Sequence, residues 1–315
     1  MKERLIIGSR GSKLALWQAE WVKEHLGPLR PHTKVLIEIV KTSGDVLNDL
    51  PLSEIGGRGV FTKELEEALV DGRIDLAVHS LKDMPTTLPE GLAIAAITER
   101  EDPRDALVLR QGLKLEAQSL RSLKAQSVVG TSSPRRLSQL KHLRPDLSVK
   151  ELRGNVDTRL RKLDAGVYDA VILASAGLRR LGLANRITLS IDIEEMLPAV
   201  GQGALAIETR SRDEDIVSLI ASLDDTETRA ACTAERSLLR ALGGGCQLPI
   251  AAHAIVENER LRLYALVAEP SGRSMIRESL EGAISQAEQL GEELAIRMRA
   301  GGAELLLSGV VPGAC

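Results

Sequence analysis

Twice in this chain an apolar run stops at a turn of small, hydroxylated residues and passes into a helical repeat. Leu5–Gly8 leads through Ser9-Arg10-Gly11-Ser12 to Leu14–Leu26, and Ser127–Gly130 leads through Thr131-Ser132-Ser133-Pro134-Arg135-Arg136 to Leu137–Leu143. A short buried strand, a tight turn and an amphipathic helix form the unit from which parallel α/β sheets are wound. Finding it once in each half predicts two similar α/β lobes. Further strands are predicted at Val35–Val40, Asp75–Leu81, Leu92–Ile97, Leu147–Leu152, Asp169–Ala174 and Ala204–Glu208, with a helix from Thr62 to Val70.

Two breaks separate the halves. Glu99-Arg100-Glu101-Asp102-Pro103-Arg104-Asp105 reads as a charged, proline-broken linker, and Leu197-Pro198-Ala199-Val200-Gly201-Gln202-Gly203 as a second crossing. Beyond Asp224-Asp225 a helix is expected over Glu227–Leu242. Strands at hairpin spacing follow at Ala251–Val256, Leu261–Ala268 and Met275–Glu281, then a helix over Ser285–Met298, which together read as a small α+β unit.

In open α/β sheets ligands sit beyond the carboxyl ends of the strands. Arg10, Arg100, Arg135, Arg136, Arg153, Arg159 and Arg180 recur near such ends, and so many cations there suggest a cleft that neutralises several negative charges. Ser12 is a candidate N-cap, and the amides of its helix suit a carboxylate or phosphate; a well-capped helix beside a solvated Arg10 is the plainer alternative. Asp83, delivered beside Lys82 by the strand Asp75–Leu81, can stabilise positive charge or shuttle a proton, or can simply satisfy turn amides. Ile55-Gly56-Gly57-Arg58-Gly59-Val60-Phe61 reads as a mobile loop, with Arg58 reaching over a ligand or merely solvated. Gly243-Gly244-Gly245-Cys246 is either a loop with an incidental cysteine or an arm presenting a thiol to carry a covalent group.

Composition excludes several classes. Only two Trp, two Tyr and one Phe occur among 315 residues, so base-stacking platforms are not expected; net charge −3 also argues against a general polyanion binder. No nucleotide phosphate loop is present, so carboxylates or simple phosphates are the expected anions. Three widely spaced cysteines, no apolar leader and no run long enough to span a bilayer read as a cytoplasmic protein without structural disulfides. Neither a metal, a membrane nor a nucleic acid is expected as a partner.

The chain resembles the porphobilinogen deaminase family over nearly its whole length. The resemblance is carried by GSRGSKLALWQ from Gly8, GGRGVFTKELE from Gly56, DLAVHSLKDMP from Asp75, EREDPRDAL from Glu99, GTSSPRR from Gly130, LRGNVDTRL from Leu152, LPAVGQGALAIE from Leu197 and GGGCQLPI from Gly243. It implies two lobes similar to periplasmic-binding-protein halves, with doubly wound mixed sheets. The first lobe covers 1–99 and 199–222 and the second 104–197; a small α+β domain with a three-stranded antiparallel sheet covers 225–315.

The resemblance also implies a transferase of tetrapyrrole and haem biosynthesis, monomeric, that polymerises porphobilinogen into the linear hydroxymethylbilane with loss of ammonia. Its primer is a dipyrromethane cofactor in thioether linkage to Cys246. Asp83 is the implied catalytic residue. The implied cofactor contacts are Lys82, Asp83, Thr131, Ser132, Ser133, Arg135, Arg136, Arg153, Gly154 and Asn155. Those to substrate are Arg10, Ser12, Arg100, Arg153, Arg159, Ala174, Gly177, Arg180 and Gln202, under a loop of Gly56, Gly57, Arg58 and Gly59. The residues alone fit such chemistry: each pyrrole brings an acetate and a propionate, which clustered guanidiniums and helix-start amides can hold. A solute-binding protein closing on a dicarboxylate would explain the arginines and both linkers, but not the Gly-Gly-Gly-Cys arm.

Overall fold

The computed structural model describes residues 3–46, 59–245 and 247–308. The chain divides into two compact units, one of Met1–Glu101 with Ala204–Arg229 and one of Asp102–Gly203 with Ala230–Ala314.

Elements are numbered along the chain. The first unit holds a sheet in the order β2-β1-β3-β10-β4, built from β1 (Arg4–Ser9), β2 (Lys34–Ile39), β3 (Leu76–Ser80), β4 (Leu92–Ile97) and β10 (Leu205–Arg210). β1 pairs in parallel with β2 and β3, whereas β10 runs antiparallel to both β3 and β4. Helices α1 (Lys13–Leu26) and α6 (Glu214–Ile220) cover one face, packing Ala19, Val22, Leu26, Ile216 and Ile220 on Leu5, Ile7, Val78 and Ile207. The other face meets α2 (Lys63–Val70) through Leu65, Ala68 and Leu69. Burial on both faces is why these strands read as nearly unbroken apolar runs rather than as alternations.

The second unit repeats the arrangement strand for strand, in the order β7-β6-β8-β5-β9: β5 (Asp105–Leu109), β6 (Val128–Gly130), β7 (Ser148–Lys150), β8 (Ala170–Ala174) and β9 (Leu189–Ser190). β6 is parallel to β7 and β8, and β5 is antiparallel to β8 and β9. Two expectations are corrected here. Asp105 does not end a linker but opens β5, whose residues are all buried. Likewise Pro134, Arg135 and Arg136 are not turn but the first turn of α3 (Pro134–Leu143), because proline at the first helical position lacks only an N–H that would have no intrahelical partner.

The same unit carries the third sheet, β11 (Ile250–Glu257), β12 (Arg260–Ala268) and β13 (Met275–Ala283), antiparallel throughout. Asn258 and Glu259, both at positive φ, make the two-residue hairpin turn that the right-handed twist of the strands favours. Helices α7 (Thr226–Ala241) and α8 (Ala287–Ala300) share a core with this sheet. They approach so closely at Gly291 that a Cβ there would lie 2.4 Å from the Ala234 carbonyl oxygen. Cys232 is fully buried in α7, as its helical position predicts.

Candidate active site

The carboxyl ends of parallel strands gather the predicted residues within each unit. In the first, β1 delivers Arg10 and Ser12, and β3 runs into a 3-10 turn, Leu81–Asp83, that presents Lys82 and Asp83 half-buried. Ser12 caps α1, its hydroxyl accepting from the Ala15 amide at 3.2 Å. The end of β3 is braced through Ser80, whose hydroxyl accepts from Gln18 of α1 at 2.9 Å, and through the Leu81 amide, which donates to the Ala204 carbonyl at 3.0 Å. The Arg10 guanidinium lies over the ring of Phe61, 4.1 Å from its centroid. Sequence reasoning passed over Phe61; its signal was being the only phenylalanine, set just after the glycine loop. Arg100, half-buried, follows β4. Gly59 has φ +82° and its carbonyl accepts from the Thr62 and Lys63 amides, whereas Gly56, Gly57 and Arg58 lie outside the described residues.

In the second unit the turn after β6 is tied to its own backbone. Thr131 Oγ1 accepts from the Ser133 amide at 3.2 Å. Ser132 Oγ donates to the Leu152 carbonyl at 2.8 Å and accepts from the Leu152 amide at 3.0 Å, and Ser133 caps α3. This turn is therefore stitched to the segment after β7 that carries Arg153, Gly154 and Asn155. There the Arg153 guanidinium pairs with Glu151, and Arg159 Nε donates to the Gly154 carbonyl at 2.7 Å. Asn155 occupies the cap position of α4 (Val156–Asp164), and Gly154 has φ +103°. β8 ends at Ala174, leading into α5 (Ser175–Arg180); Gly177 is buried, and Arg180 donates to the Gly203 carbonyl at 2.6 Å.

Arg135 and Arg136 sit deeper than the rest. Both are at most 5% exposed and converge on the fully buried Asp105. Arg135 reaches Oδ2 at 2.7 Å, and Arg136 reaches Oδ1 through Nε at 3.1 Å and its terminal nitrogen at 2.7 Å. Gln202, 1% exposed, donates to the same Asp105 Oδ1 at 2.9 Å and to the Pro103 carbonyl at 2.7 Å. Burial alone would raise the Asp105 pKa, but the two guanidiniums overcome it and hold the carboxyl well below the usual carboxylate range. Arg135 also binds the Leu197 carbonyl and Arg136 the Ile172 carbonyl. The node thus fastens α3, β5, β8 and the 197–203 crossing together.

Cys246 lies outside the described residues. Its flanks are ordered by the chain: α7 ends at Ala241, Gly243 takes φ +68° in a glycine-type helix cap, and the Leu248 amide donates to the Gly245 carbonyl at 3.1 Å.

An anionic pyrrole cofactor suits this donor set. Lysine, guanidinium and hydroxyl donors cluster at strand ends, and at the end of β8 the buried Ser175 hydroxyl has no hydrogen-bond partner among the described residues. The described residues contain no group of His, Cys, Asp and Glu arranged to hold a metal ion, and no helix long and apolar enough to cross a membrane.

Two like-wound mixed α/β sheets and an antiparallel third sheet, with cations and hydroxyls at the strand ends, define an α/β protein equipped to hold carboxylates. The family model for "Porphobilinogen deaminase, dipyromethane cofactor binding domain" matches residues 5–218, and that for the C-terminal domain of the same family matches 229–300. The chain is 50% identical to porphobilinogen deaminase of Syntrophotalea carbinolica over 96% of its own length and 95% of that protein's. It is 51% identical to that of Methylobacillus flagellatus over 96% of both chains. The aliphatic sulphonate binding protein SsuA from Escherichia coli is similar over 76% of this chain and 75% of its own, at 17% identity and a TM-score of 0.42. The chain belongs to the porphobilinogen deaminase family. It is a transferase of tetrapyrrole biosynthesis that polymerises porphobilinogen and uses a dipyrromethane cofactor.

Proposed function

We propose that Cys246 anchors the dipyrromethane through a thioether and that Asp83 is the group that acts on the reacting pyrroles. The observation that carries this is the end of β3, where Lys82 and Asp83 are presented by a strand braced through both Gln18 and Ala204. When bound, the cofactor supplies the primer to which porphobilinogen units are joined. Lys82, Arg153 and Arg159 would hold its acetate and propionate groups, with Thr131, Ser132, Gly154 and Asn155 shaping the turns between them. Arg10, Ser12, Arg100 and Arg180 would hold those of the incoming substrate, with Ala174 and Gly177 leaving room for its ring at the end of β8.

As ammonia leaves porphobilinogen, positive charge spreads onto its pyrrole nitrogen, and the Asp83 carboxylate accepts from that N–H and stabilises it. The proton lost from the ring carbon after bond formation passes to the same carboxylate. Arg135, Arg136, Ser133 and Gln202 keep the α3 end and the 197–203 crossing in place. We further propose hydroxymethylbilane as the product and a monomer working in the cytoplasm as its setting; membership of the family supports this reading.

The intact mass of active protein should exceed the sequence mass by one condensed dipyrromethane, and Cys246→Ser should remove the excess. Asp83→Asn should keep the excess while turnover collapses. Active enzyme at the bare sequence mass would end the anchor assignment, and full turnover in Asp83→Asn would remove Asp83 from the reaction.

A further inference from the structure

His79 and Ser80 are the last residues of β3 and project from opposite faces of the sheet. Ser80 meets Gln18. On the other side, under α2, four polar side chains are buried together: Thr62, Glu66, His79 and Glu208, none more than 9% exposed. His79 Nε2 lies 3.1 Å from Glu208 Oε2, within hydrogen-bond reach, and an ionised Glu208 accepts from that nitrogen. Glu208 lies on β10 opposite Ala77, beside the position that pairs with His79. The second oxygen of Glu208 and Oε1 of Glu66 have no hydrogen-bond partner among the described residues.

Two carboxyl groups thus share a buried space with one imidazole. Even with His79 as a cation, ionising both would leave a negative charge uncompensated where solvent cannot reach it. One proton on the pair removes that charge and supplies a donor to the orphaned oxygens. Burial pushes the Glu66 carboxyl up, the charges of Glu208 and Glu64 push it the same way, and only the Thr62 hydroxyl and His79 oppose them.

We propose that Glu66, Glu208 and His79 form a proton-holding latch whose retained proton seats α2 on β3 and β10 and so positions the Leu81–Asp83 turn. No step of the reaction passes through these side chains; they are positioning residues. Their effect on turnover rests on the assignment of Asp83, while the proton is read independently of it. A group whose folded pKa lies above its unfolded one contributes stability that is fully present below the unfolded value and lost as pH rises through the folded value. Wild type should therefore lose thermal stability and kcat together on the alkaline side of the Glu66 titration.

The test uses cofactor-loaded wild type, E66Q, E66A and E208Q. The carboxamide of E66Q mimics the neutral acid, so this variant should keep neutral-pH turnover within about twofold, with both alkaline declines flattened. E208Q replaces the carboxylate facing His79 with a neutral carboxamide, whose oxygen is the weaker acceptor, and should lower neutral-pH turnover by about tenfold. The infrared band of a buried carboxylic acid should be present in wild type and absent in E66Q. The latch is overturned if E66Q impairs stability and turnover at neutral pH as much as E66A does. Parallel pH profiles for E66Q and wild type, or an acid band that persists in E66Q, overturn it as well. A flattened stability profile beside an unchanged kcat profile would leave the proton in place and reject the link to Asp83.

Discussion

Both oxygens of Asp105 are held by guanidiniums where no solvent enters, so removing the carboxylate strands two buried cations. Asp105→Ala should destabilise the protein by about 3–5 kcal/mol in urea denaturation, as loss of one partner of a buried ion pair does. A change within error would mean that Arg135 and Arg136 are balanced elsewhere. Because the folded carboxyl is held below its usual range, its contribution is fully present above the unfolded value of about 4 and is lost as pH falls through the folded value. The advantage of wild type over Asp105→Asn should thus shrink only in strong acid. This node was not legible in the sequence. An arginine at a strand end reads the same whether it faces a ligand or a carboxylate on a strand 30 residues away. Phe61 beneath Arg10 was hidden likewise, since a lone aromatic carries no periodicity.

Among elements, legibility followed patterning. β3 and β8 announced themselves as apolar runs between turns, and the third sheet through evenly spaced strands. β5 was missed because its five residues begin with a charge inside a proline-broken acidic and basic stretch, and its pairing with β8 is a long-range fact. The contact of α7 with α8 was equally silent: Gly291 within a helical repeat looks like a weak helix former, yet the neighbouring backbone occupies the space a side chain would need. Gly291→Ala, which would raise helix propensity on an exposed face, should here destabilise the protein by about 1–3 kcal/mol through overpacking. Thermal unfolding decides the sign; a higher Tm would show that the two helices can separate without loss.

At the scale of the whole molecule, the repeated strand–turn–helix device disclosed two like sheets because each copy kept its own small-residue turn. The mixed direction of the sheets came from the family resemblance and not from the pattern of β10 and β5, since an antiparallel strand buried on both faces has the same composition as a parallel one. The chain carries a net −3, yet Arg10, Lys82, Arg100 and Arg153 follow closely on the ends of β1, β3, β4 and β7. A dicarboxylate substrate is then drawn by local cations against a weakly repelling whole, and salt screens both over a Debye length of about 10 Å at 0.1 M. Raising ionic strength from about 0.01 M, where that length is near 30 Å, to about 0.5 M should therefore raise KM for porphobilinogen severalfold and leave kcat nearly unchanged, because screening acts on capture and not on the bond-forming step. Arg10→Leu should raise KM at low salt and flatten this dependence. A KM indifferent to salt in wild type would mean that the arginines serve the fold alone.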